Sequence, residues 1–312
     1  MPNKKNKISV FAPATVANIS CGFDVLGLCL DTIGDEMTFI KTDQKGVRIT
    51  KLEGFDLPKD PNKNAASVAV MEMLSKANSN FGIDIQIKKN IKPGSGIGSS
   101  AASSAGAVVG VNKLLELNFS KTELIAFAQE GERIACGSPI ADNVAPAIFG
   151  GFTLVKSTNP LQVLSLPTPT DLYVVILHPQ IEIKTADSRA ILPEKIPLKD
   201  AVKQWANVGS FVSALYTNDY NLFSDSITDF VVEPYRSKLI PFFNEIKAIA
   251  LQNGALGFGI SGSGPSTFSI CKGEKTAREV RNQIDLFFKK TNIPFELHLS
   301  KINTEGVKII SE

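Results

Sequence analysis

The chain has 312 residues, 43% of them apolar and 21% charged, with a net charge of +2. That length suits two domains of ordinary size, and that balance suits a soluble globular protein. A near-neutral charge without a basic stripe argues against nucleic acid as a partner, and no window approaches 18 uninterrupted apolar residues, so no membrane span is expected.

The basic opening Lys4-Lys5-Asn6-Lys7 leads into no leader-like apolar run, which leaves a cytoplasmic location as the expectation. Ile8 to Ala12 reads as a strand. Glu36 to Lys41 and Val47 to Glu53 read as short strands with a turn at Gln44-Lys45-Gly46. Asn64 to Asn80 has helical spacing, with Gly82 as its stop. Ile83, Ile85 and Ile87 alternate with polar residues, the pattern of a half-buried strand. Pro93-Gly94-Ser95-Gly96-Ile97-Gly98-Ser99-Ser100 then opens into an Ala-rich run, Ala101 to Leu117, that predicts a buried helix. Ser120 precedes Glu123 by three, the spacing of a capping box, and starts a helix reaching about Ala135.

Pro139 to Gly151 reads as loop, and Phe152 to Lys156 as strand. Thr158 to Pro169, rich in Pro, Thr and Ser, marks the expected boundary, giving domains over residues 1–160 and 161–312. The second half starts with an apolar strand, Leu172 to Leu177. Helical patterns follow at Asp200 to Tyr216, Ser237 to Gln252 and Thr276 to Lys290. Strand patterns lie at Gly257 to Ser261, Ser266 to Cys271, Phe295 to Ile302 and Val307 to Ile310. The expected class is α+β in each half. Cys21, Cys29, Cys136 and Cys271 form no C-x-x-C pair, and His178 and His298 sit at strand-like runs. Neither a zinc site nor a His-based triad is expected.

The glycine loop carries the strongest chemical signal. Gly94, Gly96 and Gly98 let the backbone turn sharply and approach a ligand, and the helix that follows presents free N–H groups to an anion. The segment is neither a Rossmann fingerprint, since Ser99 stands at the third glycine, nor a Walker A loop, since no Lys follows Gly98. A flexible linker would not run straight into a long apolar helix. Physics alone leaves the anion open. The second cluster, Ser261-Gly262-Ser263-Gly264-Pro265, is explained equally well by a tight hairpin. Glu132 with Ser100 offers a carboxylate and a hydroxyl, a common Mg²⁺ pair on nucleotides. Spacing alone does not set Glu132 above Glu130.

The stretch from Ala12 to Gly27, with Pro13-Ala14-Thr15 and Gly22-Phe23-Asp24, resembles the first motif of the GHMP kinases, in the form of their homoserine kinase branch. Pro93 to Ala101 resembles the family's ATP-binding motif, and Gly259 to Ser266 its third. The three occur in the family's order and cover the chain from end to end. Ala141-Asp142-Asn143-Val144-Ala145-Pro146 and Glu233-Pro234-Tyr235-Arg236 favour the same branch.

The resemblance implies a two-domain GHMP-kinase fold: an N-terminal ATP-binding domain with a left-handed βαβ crossover and a ferredoxin-like C-terminal domain. It implies ATP and Mg²⁺, homoserine as acceptor on the way to threonine, and a homodimer. It places Asn64 near the adenine and residues 93–99 (Pro93, Gly94, Ser95, Gly96, Ile97, Gly98, Ser99) around the triphosphate. It gives Mg²⁺ to Ser100 and Glu132. Asn18, Asp24, Arg189 and Arg236 would hold the acceptor, Asp24 meeting an ammonium and the two arginines forking a carboxylate. Thr185, in Lys184-Thr185-Ala186-Asp187-Ser188-Arg189, and Asn143 would stand at the reaction centre. Asn143 replaces the catalytic Asp of several relatives. An amide is no general base, which fits a loose transition state that needs positioning more than deprotonation. Asp142 is the rival base and is read as structural. Ser138-Pro139-Ile140 departs from the branch, which usually carries a His at the place of Ile140. Two other readings remain: a family member with another small hydroxylated acceptor, and a non-catalytic nucleotide-binding module on this fold.

Overall fold

The computed structural model describes residues 6–137, 139–183 and 185–311. Lys4, Lys5, Ser138 and Lys184, and the side chains of Cys136, Thr185 and Ala186, lie outside the described residues. Strands β1 (Lys7–Ala17) and β2 (Leu26–Thr42) are antiparallel and much longer than the alternation predicts. The first motif is therefore strand on both sides of one loop, residues 18–25. Strand β3 (Gly46–Gly54) does not hairpin back onto β2. Helix α1 (Ala65–Lys76) carries the chain across to β4 (Gly82–Lys89), which lies between β2 and β3 and pairs with β3 in parallel. A parallel pair needs such a crossover. Helix α1 stops well before Gly82. Asn78 takes a φ of 49°, and the N–H groups of Asn78 and Ser79 return to the carbonyls of Ser75 and Leu74 at 3.1 and 3.0 Å. That is a Schellman stop made by Asn instead of Gly.

Helices α2 (Ser99–Leu115) and α3 (Lys121–Cys136) follow, and Ser120 with Glu123 closes the expected capping box. The loop expected over 139–151 contains a short helix, α4 (Val144–Phe149). Pro146 fits there because its missing N–H falls in the first turn, where no helical acceptor exists. Strands β5 (Phe152–Thr158) and β6 (Leu161–Leu166) form a hairpin that joins the same sheet through β2. The division expected between residues 160 and 161 falls inside this hairpin, so the first sheet runs on to Leu166.

The second unit begins with β7 (Leu172–Pro179), then α5 (Thr185–Ala190), α6 (Leu198–Thr217), α7 (Tyr220–Ser226) and α8 (Glu233–Arg236). The single helix expected over 237–252 is broken into a 3-10 turn at Ser237–Leu239 and α9 (Phe243–Gln252). Pro241 forces the break: it lacks an N–H and holds Ile240 extended, at φ −109° and ψ 115°. Strand β8 (Ala255–Ile260), β9 (Thr267–Lys272), α10 (Glu274–Phe288) and β10 (Phe295–Lys301) complete an antiparallel sheet of order β10-β7-β9-β8. With α9 and α10 as its crossovers this is the ferredoxin-like βαββαβ arrangement. The last strand, β11 (Lys308–Ser311), leaves that sheet and pairs with β1 in the first.

One apolar core runs from the first sheet and its helices onto one face of the second sheet, through Val174, Ile176, Phe268 and Ile270, and the other lies between the opposite face of that sheet and α9 and α10. Helix α2 lies close on the first sheet because two of its residues lack side chains. A Cβ on Gly106 would stand 2.6 Å from Ala12 Cβ, and one on Gly110 would stand 2.4 Å from the Phe39 ring. This close seat fixes where the N-terminus of α2 points.

Candidate functional site

The N-terminus of α2 opens into a cavity of about 680 Å³ between the two units. Gly94, Gly96 and Gly98 all take left-handed φ values, 74°, 84° and 69°, which is why glycine is needed at each. Gly98 is the N-cap of α2, and no side chain caps that helix end. Its first N–H groups and its dipole face the cavity. A Cβ on Gly98 would lie 2.1 Å from Thr15 Oγ1 and 3.0 Å from Asn143 Oδ1, so the loop is seated directly on the first motif and on the start of α4.

The loop is anchored from behind. Thr15 N–H donates to the Ile97 carbonyl at 3.2 Å, Ser266 N–H to the Ser95 carbonyl at 3.2 Å, and Ser261 Oγ to the Gly96 carbonyl at 2.8 Å. The second glycine cluster is the β8–β9 hairpin, and it is also the buttress of the first loop. Side chains of Ser95 and Ile97 point into the protein, and Ser99 Oγ donates to the Ile91 carbonyl at 3.0 Å. Residues 93–99 can thus offer backbone groups to a ligand. Asn64 also lines the cavity. Its side chain caps α1, accepting from Ala66 N–H at 3.0 Å and donating to the Pro58 carbonyl at 2.9 Å.

Ser100 and Glu132 line the same wall as the glycine loop. Structure separates the two glutamates that spacing could not. Glu130 pairs with Arg133 at the surface, at 2.8 Å, whereas Glu132 is 6% exposed and borders the cavity. Beside it lies Lys89, 1% exposed and missed in the sequence. Its ammonium pairs with buried Asp35 and donates to the Ser99 carbonyl at 2.6 Å and Ser103 Oγ at 3.0 Å. Burial lowers the Lys89 pKa, against the pull of Asp35 and Glu132. The signal was present: Ile83, Ile85 and Ile87 face inward, and period two puts Lys89 on the same side.

The opposite wall holds the expected acceptor residues. Asn18, Ile19 and Ser20 form three successive non-glycine residues at positive φ, a strained run that recurs at Asp24. Asn18 braces it. Its Nδ2 donates to the Gly262 carbonyl at 2.9 Å, and its Oδ1 accepts from Asp24 N–H at 3.0 Å. Asp24 and Arg189, expected at opposite ends of an acceptor, pair with each other at 2.9 and 3.1 Å. Arg236 is 3% exposed. Its Nε and Nη1 donate to the carbonyls of Ser188 and Gly262, each at 3.0 Å. Among the described residues no carboxylate lies within ion-pair distance of it. Burial, then Arg189, lowers its pKa. Both guanidinium groups lie over the Phe23 ring, at 5.7 and 5.1 Å.

Arg236 owes its place to a second unforeseen residue. Asp229 accepts from the N–H groups of Val231, Val232 and Glu233 at 2.8 to 2.9 Å and so pins the start of α8. Between the two walls stand Asn143 and Asp142. Asn143 Oδ1 accepts from Thr15 Oγ1 at 2.7 Å. Asp142 is 4% exposed, and burial, with Asp24 and Glu132 nearby, raises its carboxyl to about 7. Ile140 lines the cavity beside it. Thr185 begins α5, and its side chain lies outside the described residues.

This arrangement is chemically specific. One wall suits a polyphosphate, with a hydroxyl and a carboxylate for a cation. The other suits a ligand bearing both charges. Comparisons with known proteins bear on the family. Residues 64–151 match the family model described as GHMP kinases N terminal domain, and residues 211–290 that described as GHMP kinases C terminal. A homoserine kinase of Chlorobium phaeobacteroides is 41% identical over 97% of this chain and 99% of its own. One of Chlorobaculum tepidum is 42% identical over 97% and 98%. The crystal structure of homoserine kinase from Cytophaga hutchinsonii superposes with a TM-score of 0.95 at 46% identity, covering 99% of each chain.

Proposed function

The chain belongs to the GHMP kinase family, and on that premise we propose that it moves the γ-phosphoryl group of ATP to the side-chain hydroxyl of L-homoserine, giving O-phospho-L-homoserine on the way to threonine. Likeness to homoserine kinases over nearly the whole chain supports the acceptor. The observation that carries the reading is Arg236, a buried guanidinium held by carbonyls beside the Asp24–Arg189 pair. Together they offer two cations and one anion to the ends of an amino-acid zwitterion.

In this reading the loop backbone and the α2 dipole hold the triphosphate. Ser100 and Glu132 fit a nucleotide-borne Mg²⁺: both donors are hard oxygens on the cavity wall. Mg²⁺ there would neutralise charge developing on the β- and γ-phosphate oxygens. Thr15 and Asn143 sit where the glycine loop meets the acceptor wall, so Asn143 can orient the attacking hydroxyl without accepting its proton. Thr185 is assigned to the same centre. The reading further expects a cytoplasmic homodimer, and no helix among the described residues is long and apolar enough to cross a membrane.

One observation favours a second reading. Ile140 gives the acceptor wall an apolar side chain, which suits a less polar alcohol. A coupled ADP-release assay over homoserine, serine, threonine, mevalonate and galactose decides between them. Highest kcat/KM for homoserine is expected; preference for an uncharged alcohol would overturn the acceptor.

A further inference from the structure

Helix α6 presents an uncovered apolar line. Leu198, Val202, Trp205, Gly209 and Tyr216 fall within about 30° of a common direction at ~100° per residue. Leu198 is 72% exposed, Val202 45%, Trp205 58% and Tyr216 64%. An apolar face of this kind, on a helix about 30 Å long, signals a contact. Trp and Tyr are also the side chains enriched at the centres of such contacts.

Gly209 says what kind of contact. Glycine inside a helix costs about 1 kcal/mol relative to alanine, so a mid-helix glycine needs a reason. The glycines of α2 and α3 have one inside the molecule. A Cβ on Gly106, Gly110 or Gly131 would meet another atom at 2.4 to 2.6 Å. A Cβ on Gly209 would meet nothing within 4 Å. In this chain helical glycines mark places where another element comes close, and at Gly209 that element lies outside the described fold.

We infer that it is α6 of a second copy, crossing antiparallel at Gly209 about a two-fold axis. Such an axis pairs residues equally distant from Gly209. It sets Trp205 against Ser213 of the partner subunit, a large side chain over a small one. It sets Val202 against Tyr216 of the partner subunit. It also brings exposed Lys199 toward Asp219 of the partner subunit, so the flanking charges attract. A two-fold contact must complement itself in this way, because each patch meets its own copy. The inference deepens the homodimer in the reading above by naming its surface. It concerns assembly alone, so it stands or falls separately from the choice of acceptor.

Sedimentation equilibrium of the full chain tests it. The expected mass is about twice 33.6 kDa at micromolar concentration. Gly209→Arg should leave a folded monomer with an unchanged far-UV spectrum. Gly209→Ala should improve the isolated helix yet weaken dimerisation by roughly tenfold or more, since the crossing would widen. Trp205 is the single tryptophan, so its emission should shift to the red in step with dissociation. A protein that stays monomeric at tens of micromolar overturns the inference. So does a dimer whose dissociation constant and Trp205 emission are unchanged by Gly209→Arg.

Discussion

Asp24 and Arg189, 165 residues apart in the chain, meet on the acceptor wall of the cavity and pair through both carboxylate oxygens, at 2.9 and 3.1 Å. An ion pair that an amino acid can enter offers its ammonium a carboxylate and its carboxylate a guanidinium. Exchanging one internal pair for two new ones keeps every charge matched. Asp24→Asn should therefore raise the KM for homoserine. About a third of each side chain is exposed, so solvent screening lowers the expected scale to roughly tenfold. The KM for ATP should not move. Equal changes in both KM values would show that Asp24 only holds the loop together.

The two glutamates on α3 offer an internal control. Glu132→Gln should lower kcat by roughly 10²-fold or more with ATP still bound through the loop, because the lost charge acts mainly in the transition state. Glu130→Gln, whose side chain pairs with Arg133 at the surface, should change little. Isothermal titration with ATP, with and without Mg²⁺, separates the two effects. Near-normal turnover of Glu132→Gln at ordinary Mg²⁺ would remove it from the site.

Asp142 carries a pH signature whose sign follows from its raised pKa. An unfolded Asp titrates near 3.9, whereas burial and nearby carboxylates move the folded group to about 7. The folded state therefore keeps a proton that the unfolded state has lost. The resulting stability is complete below the unfolded pKa and disappears as pH rises from about 4 through 7. Asp142→Asn keeps the neutral shape. Its melting temperature should match the wild type below about pH 4 and exceed it near pH 8. If Asp142 is structural, the variant also retains substantial turnover. A loss of about 10²–10⁴-fold with unchanged melting would make it the general base.

Local pattern foretold most elements, because helix and strand periods and the capping box at Ser120 and Glu123 act over a few residues. The glycine motifs foretold the cradle. What stayed hidden depends on tertiary pairing. Nothing near Gly46 shows that β4 will come between β3 and β2, or that β11 will cross back to β1. The acceptor wall likewise draws Asn18, Arg189, Arg236 and Gly262 from distant segments. Their mutual hydrogen bonds exist only once both sheets are in place. Resemblance to a family supplied those positions, but not the Asp24–Arg189 pairing or the support from Asp229.

Lys89 should matter to stability more than its silence in the sequence suggests. Breaking a buried ion pair by removing one partner costs about 3–5 kcal/mol, since the other charge stays buried. Lys89→Met leaves Asp35 with only the N–H groups of Asn90 and Ile91, at 2.8 and 2.9 Å. A large fall in the urea midpoint is expected. Lys89→Met combined with Asp35→Leu should recover part of it. A single variant within about 0.5 kcal/mol of wild type, the range of an ordinary surface change, would contradict the buried pair.

Arg236 tests the acceptor itself. It is held by two carbonyls and has no carboxylate partner among the described residues, so its charge is available to a ligand. Arg236→Ala should lower kcat/KM for homoserine by roughly 30-fold or more, the scale of about 2 kcal/mol expected when a buried charge partner is truncated. The KM for ATP should change little, because the glycine loop is anchored through Ser261 and Ser266 and does not touch the guanidinium. The carboxylate is the group at issue, so homoserine amide, which keeps the hydroxyl and the ammonium but lacks the carboxylate, should react poorly with the wild type and be nearly indifferent to Arg236→Ala. Ile140→His adds a donor to the same wall and should leave homoserine use unchanged or improved. If the wild type ignores homoserine, phosphorylates an uncharged alcohol, and does so equally well as Arg236→Ala, the guanidinium holds no acceptor and the assignment to homoserine is wrong.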